Sequence, residues 1–117
     1  MGGNPLAAAC GLRTLQLAEK QELRKSAKNI EQLVKNFFSE HLPNHLGEDA
    51  IRGKGALLGI KLPDTLTAGE IASKCIESGV FVCAAKQNVL RLAPPLIIEE
   101  ALLTKGLTQI SSIIKTA

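Results

Sequence analysis

The fold is decided by the stretch at residues 58–71, which reads Leu-Gly-Ile-Lys-Leu-Pro-Asp-Thr-Leu-Thr-Ala-Gly-Glu-Ile. Leu58, Ile60 and Leu62 alternate with a glycine and a lysine, which is the period of a strand with one buried face. The proline and the aspartate that follow are typical turn residues. A strand, a turn and the start of a helix in so few residues predict a protein of mixed α and β structure.

The helix that follows this turn is clearly delimited. Thr67 and Glu70 have the spacing of a capping box, in which each side chain bonds to the other residue's backbone. Gly79 favours a left-handed stop. The apolar residues between them share one helical face: Ile71, Ala72, Cys75 and Ile76.

Two strands and a last helix are predicted downstream. Residues 80–83 form a short apolar strand, residues 84–87 a turn, and residues 88–93 a second strand that two prolines end. The two strands are close enough to pair as a hairpin. The last helix runs from about residue 99 to residue 115, with one apolar face formed by Leu103, Leu107, Ile110 and Ile114.

The first third of the chain predicts two helices. Asn4 is a suitable N-cap and Pro5 suits the first helical position. The helix that they open is apolar on most sides over residues 6–18, so it needs cover on nearly every face. A polar run at residues 19–22 indicates a bend before a second, amphipathic helix, which Pro43 ends.

The element order is helix, helix, strand, helix, strand, strand, helix. This order predicts an α+β fold with a small, mostly antiparallel sheet packed by helices. The chain has 117 residues, of which 45% are hydrophobic and 21% charged, enough for one core. We therefore expect residues 1–117 to form a single domain.

Charge and composition argue against nucleic acid and membrane as partners. The net charge is only +3, and the basic residues are scattered among acidic ones. Aromatic residues are 3% of the chain, and we expect Phe37, Phe38 and Phe81 in the core rather than on a stacking surface. The apolar runs are far shorter than the roughly 20 residues that a bilayer span requires.

The cysteines and histidines predict neither a disulfide framework nor a metal site. Three cysteines without a Cys-x-x-Cys motif or a secretory leader favour a reducing, cytoplasmic location. Cys10 and Cys75 lie at apolar helical positions, where we expect buried free thiols. His41 and His45 have helical ligand spacing, but a proline lies between them, so we expect two exposed loop histidines.

Arg91 is the outstanding candidate residue, because it lies in an otherwise apolar strand. Such an arginine reaches solvent, pairs with a buried acid or binds an anionic ligand, and its planar fork suits a carboxylate. The pattern alone favours an arginine on the exposed face of a one-sided sheet. The glycines at positions 53 and 55 lack the spacing of phosphate or dinucleotide loops.

Three strings of residues, in this order, are typical of one enzyme family. They are Gly-Gly-Asn-Pro-Leu-Ala at residues 2–7, Arg-Gly-Lys-Gly at residues 52–55, and Val-Leu-Arg-Leu-Ala-Pro-Pro-Leu at residues 89–96. With them the chain resembles, over essentially its whole length, the C-terminal part of the class III (subgroup II) pyridoxal-phosphate aminotransferases. It is most similar to the family's N-acetylornithine enzymes, then to its ornithine enzymes.

The resemblance implies the small C-terminal domain of a fold-type I pyridoxal-phosphate enzyme. Such an enzyme is a homodimer that transfers an amino group between an amino acid and a 2-oxo acid, here N-acetylornithine and 2-oxoglutarate in arginine biosynthesis. Its cofactor serves as the electron sink. The resemblance also implies that Arg91 binds the substrate α-carboxylate and that Arg52 has a structural role. It assigns no catalytic, cofactor-binding or metal-binding residue to this chain.

The family's Schiff-base lysine, its pyridine-pairing aspartate and its phosphate turn all precede these three strings. None of the ten lysines here has the family's lysine context, and Met1 stands where the family has a threonine that reaches the neighbouring subunit's cofactor phosphate. We therefore expect a fragment that binds no pyridoxal phosphate and is inactive alone. Its partners would be its own large catalytic domain and the homodimer mate.

Two alternatives stay open. Ornithine, succinylornithine and 4-aminobutyrate aminotransferases share these strings, so the amino donor is not settled. The chain could also be a stand-alone interaction module that keeps the fold without the chemistry and binds through its helical first third. The intact setting of Arg91 favours the enzyme, because a scaffold does not need that arginine.

Overall fold

The computed structural model describes residues 2–117, so Met1 and its match to the family threonine lie outside the described residues. Two helices, two strands, a helix, two strands and a last helix follow one another, in an order close to the predicted one. They are α1 (Pro5–Lys20), α2 (Leu23–His41), β1 (Ile51–Lys54), β2 (Leu57–Lys61), α3 (Ala68–Glu77), β3 (Cys83–Lys86), β4 (Val89–Leu92) and α4 (Glu100–Thr116).

The strands form one sheet in the order β1-β2-β4-β3, and every pairing is antiparallel. The connection through α3 carries the chain from β2 to the far edge of the sheet, and β4 then returns between β2 and β3. The predicted α+β fold with a small antiparallel sheet is confirmed.

The core lies on one face of the sheet, under α2, α3 and α4. Leu58 and Ile60 of β2 and Leu90 and Leu92 of β4 point into it and are almost fully buried. The apolar face that was predicted for the last helix is buried against them: Leu103, Leu107, Ile110 and Ile114. The opposite face of the sheet carries no helix in the described part of the chain.

The sheet has one more strand than the three predicted. β1 and β2 form a hairpin in which Lys54 pairs with Leu57, leaving a two-residue loop. Gly55 opens that loop with φ 59°, as glycine does at the first position of a type II′ turn. The residues of β1 lack clear alternation, because Gly53 occupies the place of an inward side chain, so local pattern did not reveal the strand.

The strand predicted at residues 80–83 is wrong by three residues. The observed strand β3 begins at Cys83, and its turn to β4 is correspondingly later. Val82 is buried and Val80 is partly buried, but both pack against the core from the segment between α3 and β3. Their apolar character reflects this packing rather than sheet pairing.

The helix ends mostly agree with the prediction. The Asn4 side chain accepts a hydrogen bond from the Ala7 N–H at 3.0 Å, and Gly79 adopts the expected left-handed φ of 91°. Thr67 is the N-cap of α3, but its side chain makes no capping hydrogen bond, so the predicted capping box is not formed. Instead, the Ala68 N–H donates to the backbone oxygen of Gln87 at 2.8 Å, which ties the helix start to the β3–β4 turn.

Helix α1 is almost unsupported, and this overturns one burial prediction. None of its residues is buried, and Cys10, expected inside, is exposed. The main packing partner of α1 among the described residues is α2, so this apolar helix is covered mostly on one side. Cys75 is buried as expected, and Cys83 is half-buried.

Two ring side chains also differ from expectation. Phe81 is 79% exposed, because the segment between α3 and β3 turns it away from the core, whereas Phe37 and Phe38 are buried as predicted. His41 is not in a loop but ends α2, and its ring stacks on Phe37 with centroids 4.0 Å apart. His45 is exposed in the following loop, as predicted.

Candidate functional site

The functional candidates lie on the outer sheet face, the face turned away from α2, α3 and α4. Successive side chains of a strand point to opposite sides of its sheet. The residues that alternate with the buried ones therefore form this face. They are Arg52 and Lys54 of β1, Leu57, Gly59 and Lys61 of β2, Val89 and Arg91 of β4, and Cys83 of β3.

Arg91 lies in a row of four residues that crosses all the strands. Arg52 pairs with Gly59, Gly59 with Arg91, and Arg91 with Cys83. Neighbouring strands are about 4.8 Å apart, so the Cα atoms of the two arginines are about 10 Å apart. Gly59 adds no side chain to this row, and the Val89 side chain lies beside it, with its Cγ1 3.3 Å from the position that a Cβ of Gly59 would take.

Arg91 is exposed, as the one-sided sheet predicted. In residues 2–117 no carboxylate forms a salt bridge with it and no side-chain hydrogen bond engages it. The described residues therefore offer it no buried acid partner. Its planar set of N–H donors is free to bind an anion in a bidentate geometry.

Within residues 2–117, the Arg52 side chain makes one hydrogen bond. Its Nε–H donates to the backbone oxygen of Asp49 at 3.3 Å, which agrees with a structural role. The structure also places it in the same row as Arg91, a relationship that the sequence analysis missed. Recognising the β1–β2 hairpin would have revealed it, because the two-residue loop sets Arg52 opposite Gly59.

One carboxylate anchors the hairpin that carries Arg52. Glu31 of α2 accepts a hydrogen bond from the Lys35 ammonium at 2.8 Å and another from the Gly55 N–H at 2.8 Å. The bond from Lys35 first, then that from Gly55, holds the pKa of Glu31 below its usual range, and the nearby charge of Lys54 acts in the same direction. Glu31 thus stays ionised, with both oxygens occupied.

The chain's own residues do not fit pyridoxal phosphate. A Schiff-base lysine needs a sheltered amine, yet nine of the ten lysines are exposed, and Lys35 is paired with Glu31. In the part of the chain that the structure describes, every buried side-chain nitrogen and oxygen atom already has a hydrogen-bond partner. No such atom is therefore left for a cofactor to bind. The depression between β4 and α4 is lined only by apolar residues and glycine.

Residues 2–117 also meet neither the requirements of a metal site nor those of a bilayer-spanning helix. These residues contain no cluster of three or more histidine, cysteine or acidic side chains placed to hold a metal ion. None of the four helices combines the length and hydropathy that a bilayer span requires. What the outer sheet face can do chemically is bind and orient an anion.

Comparison with known proteins shows which family the chain matches. A family model described as "Aminotransferase class-III" matches residues 1–114. The mitochondrial acetylornithine aminotransferase of Debaryomyces hansenii is 36% identical over 109 residues, covering 91% of this chain and 23% of the relative. The 4-aminobutyrate aminotransferase of Mycobacterium bovis is 32% identical over 124 residues, covering 97% of this chain and 27% of the relative.

A solved structure shows the same architecture. The crystal structure of acetylornithine aminotransferase from Elizabethkingia anophelis matches with a TM-score of 0.83 and 29% identity, over 97% of this chain and 30% of that chain. The chain thus spans about a quarter of the length of the curated relatives it matches, 23% and 27% for the two named above.

Proposed function

The chain belongs to the class III aminotransferases, and we propose that it provides the substrate-carboxylate contact of such an enzyme, with Arg91 as the binding residue. The observation that carries the proposal is an exposed, unpaired Arg91 on an open sheet face. A bidentate arginine clamp fixes both the position and the rotation of an amino acid. Holding a substrate in the reactive orientation removes much of the entropic cost of reaction.

We propose that the substrates are N-acetylornithine as the amino donor and 2-oxoglutarate as the acceptor. The Debaryomyces relative and the Elizabethkingia neighbour, both named as acetylornithine enzymes, support this choice. The Mycobacterium relative, named as a 4-aminobutyrate enzyme, supports one alternative donor. Ornithine and succinylornithine are further alternatives, and Arg91 suits all the α-amino acids among them equally.

The proposed organisation is a C-terminal domain at residues 1–117 working with a large catalytic domain and with a homodimer mate. The short span relative to the family and the poor fit of the lysines to the cofactor support this organisation. Pyridoxal phosphate, on which the family depends, would then be held by residues outside this chain. The cytoplasmic location stays a prediction, since one relative is named mitochondrial.

A stand-alone interaction module is the second candidate function. The observation in its favour is α1, where Leu6, Leu12 and Leu15 are 75%, 60% and 68% exposed. Exposed leucines on one helix are typical of a surface that binds another protein. The free guanidinium of Arg91 argues for the enzyme, because such a module does not require it.

A mixing experiment tests the proposed function. The chain is combined with a separately expressed class III catalytic domain and pyridoxal phosphate, and transamination is followed with each of the four candidate donors. We expect activity only in the mixture, highest with N-acetylornithine, and none from the chain alone. Turnover by the isolated chain would contradict the proposal, whereas association without turnover would favour the interaction module.

A further inference from the structure

Helix α1 carries an apolar face that its own chain leaves uncovered. Four residues with the spacing i, i+3, i+4, i+7 share one side of the helix, here called the α1 face: Ala8, Gly11, Leu12 and Leu15. All four are exposed, and the two leucines are 60% and 68% exposed. A helix with apolar residues at this spacing is the form in which one protein docks into an apolar groove of another.

The depression between β4 and α4 is a groove that suits the α1 face. Its volume is about 320 Å³, and the described residues that line it have no charged or polar side chain. An apolar cavity of about 150 Å³ holds one benzene molecule, so this one has room for the Leu12 and Leu15 side chains together. Its lining on α4 runs from Leu102 to Ile110, about 12 Å of helix, and the α1 face is about 10 Å long.

Gly106 keeps this depression open at a cost to α4. Glycine is less favourable inside a helix than any residue except proline, yet Gly106 lies in the middle of α4. A Cβ at this position would meet nothing within 4 Å, so no close contact within the described residues requires a glycine. A longer side chain would instead fill the depression, which Gly106 lines. Glycine here therefore indicates that another element approaches α4 closely.

The α1 helix of the same copy does not occupy the depression. Only Gln21 and Glu22 join α1 to α2, which is its main packing partner among the described residues. None of the described residues that line the depression belongs to α1. A second copy supplies the same helix without that tether. Because each copy has one helix and one depression, two copies can exchange them around a two-fold axis.

The buried area favours a reciprocal exchange over a single contact. A helix is about 10 Å wide, so about 12 Å of docked helix and its groove together bury about 400 Å². One contact of that area is no larger than a crystal contact, whereas the two contacts of a reciprocal pair bury about 800 Å². Interfaces of this area are weak and transient, so we expect a dissociation constant of about 0.1 mM.

We propose that two copies of the 117-residue chain associate reciprocally, with the α1 face of each copy docked in the depression between β4 and α4 of the other. Leu12 and Leu15 are the anchors. Phe81 and Leu102, which are 79% and 59% exposed, form the rim, and Gly106 permits the close approach. The inference concerns the chain by itself and does not rest on the proposed substrate site.

The test is analytical ultracentrifugation of the chain and its variants at concentrations up to about 1 mM. Gly106→Leu fills the depression, so it should weaken dimerisation at least about tenfold while keeping or raising the urea midpoint. Gly69→Leu is the control, since a Cβ at this helical position also meets nothing within 4 Å, and it should dimerise as the parent does. Leu12→Glu should prevent dimerisation, whereas Leu57→Glu, at a leucine 62% exposed on the outer sheet face, should not.

Mixing the two defective variants shows which surfaces meet. Leu12→Glu keeps an open depression, and Gly106→Leu keeps an intact α1 face, so the mixture restores one of the two contacts. With isotope-labelled Leu12→Glu, we expect the amide signals of Phe81 and Leu102 to shift when unlabelled Gly106→Leu is added. Adding unlabelled Leu12→Glu instead should leave them unchanged.

Three results would overturn the proposal. The first is a parent chain that stays monomeric at about 1 mM. The second is a Gly106→Leu chain that dimerises as tightly as the parent, which would show that α1 pairs with α1 instead. The third is a mixture of Leu12→Glu and Gly106→Leu that shifts no signal of Phe81 or Leu102, because the α1 face would then dock elsewhere.

Discussion

Glu31 in α2 and Gly55 in the β1–β2 turn are joined by a hydrogen bond of 2.8 Å across 24 residues of sequence. This bond fastens the hairpin that carries Arg52 to the helical layer. The Lys35 ammonium shares the same carboxylate. The outer sheet face is therefore positioned partly by a charge on the opposite side of the hairpin.

The stability that is lost on replacing Glu31 should depend on pH in a defined way. The hydrogen bond from Lys35 first, and that from Gly55 next, lower the pKa of Glu31 in the folded chain. The ionised Glu31 therefore stabilises the fold at pH values above its pKa in the unfolded chain, about 4.3, and this stabilisation is lost as the pH falls through the folded-state pKa. We expect Glu31→Gln to lower the urea midpoint at pH 7 and to approach the parent near pH 3. Glu40→Gln on the same helix is the control. An equal loss at both pH values would contradict the assignment.

Gly53 should not tolerate a side chain. Its φ is 116°, and an added Cβ would overlap the backbone oxygen of Leu57 on the paired strand. We expect Gly53→Ala to cost about 2 kcal/mol or more of unfolding free energy. Gly69→Ala in α3 is the control, since its Cβ would meet nothing within 4 Å, and alanine there should be neutral or stabilising by up to about 1 kcal/mol. Similar effects at the two positions would refute the β1–β2 geometry.

Adjacent leucines in β2 test which sheet face is the core. Leu58 is 1% exposed and Leu57 is 62% exposed. Truncating a buried leucine costs about 2–5 kcal/mol, whereas an exposed one costs within about 0.5 kcal/mol. We therefore expect Leu58→Ala to be far more destabilising than Leu57→Ala in urea unfolding. The reverse order would place the outer sheet face inside and remove Arg91 from solvent.

The helices were predicted more accurately than the strands because helix signals are local. Asn4, Pro5 and Gly79 act within a few residues of their own positions, and each has the predicted conformation. Strand β1 depends on a partner further along the chain, and its glycine breaks the alternation that reveals a strand. The row linking Arg52 to Arg91 follows from that pairing, so it could not be predicted while β1 was missed.

Burial was predicted less well where apolar residues lack a partner in this chain. Phe81 and Cys10 have the character of core residues, yet both are exposed. The hydrophobicity of a residue shows that its burial is favourable in free energy. It does not show that other residues of the same chain bury it.

Helix α1 should be the least stable element of the chain. It has no buried residue, and isolated helices of this length are marginal in water. We expect its amide protons to exchange at least about 100-fold faster than those of α2 in dilute monomer. At higher concentration we expect self-association that Leu12→Glu weakens and Arg13→Gln does not. A strictly monomeric chain with α1 as protected as α2 would contradict this prediction.

Thiol reactivity should follow burial. Cys10 is exposed, whereas Cys75 is buried and burial raises the pKa of its thiol. The thiolate is the reactive form, so both effects slow Cys75. We expect a disulfide reagent to modify Cys10 at once in the native chain and Cys75 only after unfolding in urea. Cys10→Ser should remove the fast phase, and rapid native modification of Cys75 would show that the core is open.

The most direct test of the central claim is the kcat/KM for N-acetylornithine of the chain reconstituted with a class III catalytic domain, with Arg91 intact and as Arg91→Gln. Losing one partner of a desolvated bidentate pair costs about 2–5 kcal/mol, so we predict a fall of about 30-fold or more. Lys105→Gln should change it less than about twofold. An Arg91→Gln enzyme within about threefold of the parent would contradict the claim that Arg91 binds the substrate carboxylate.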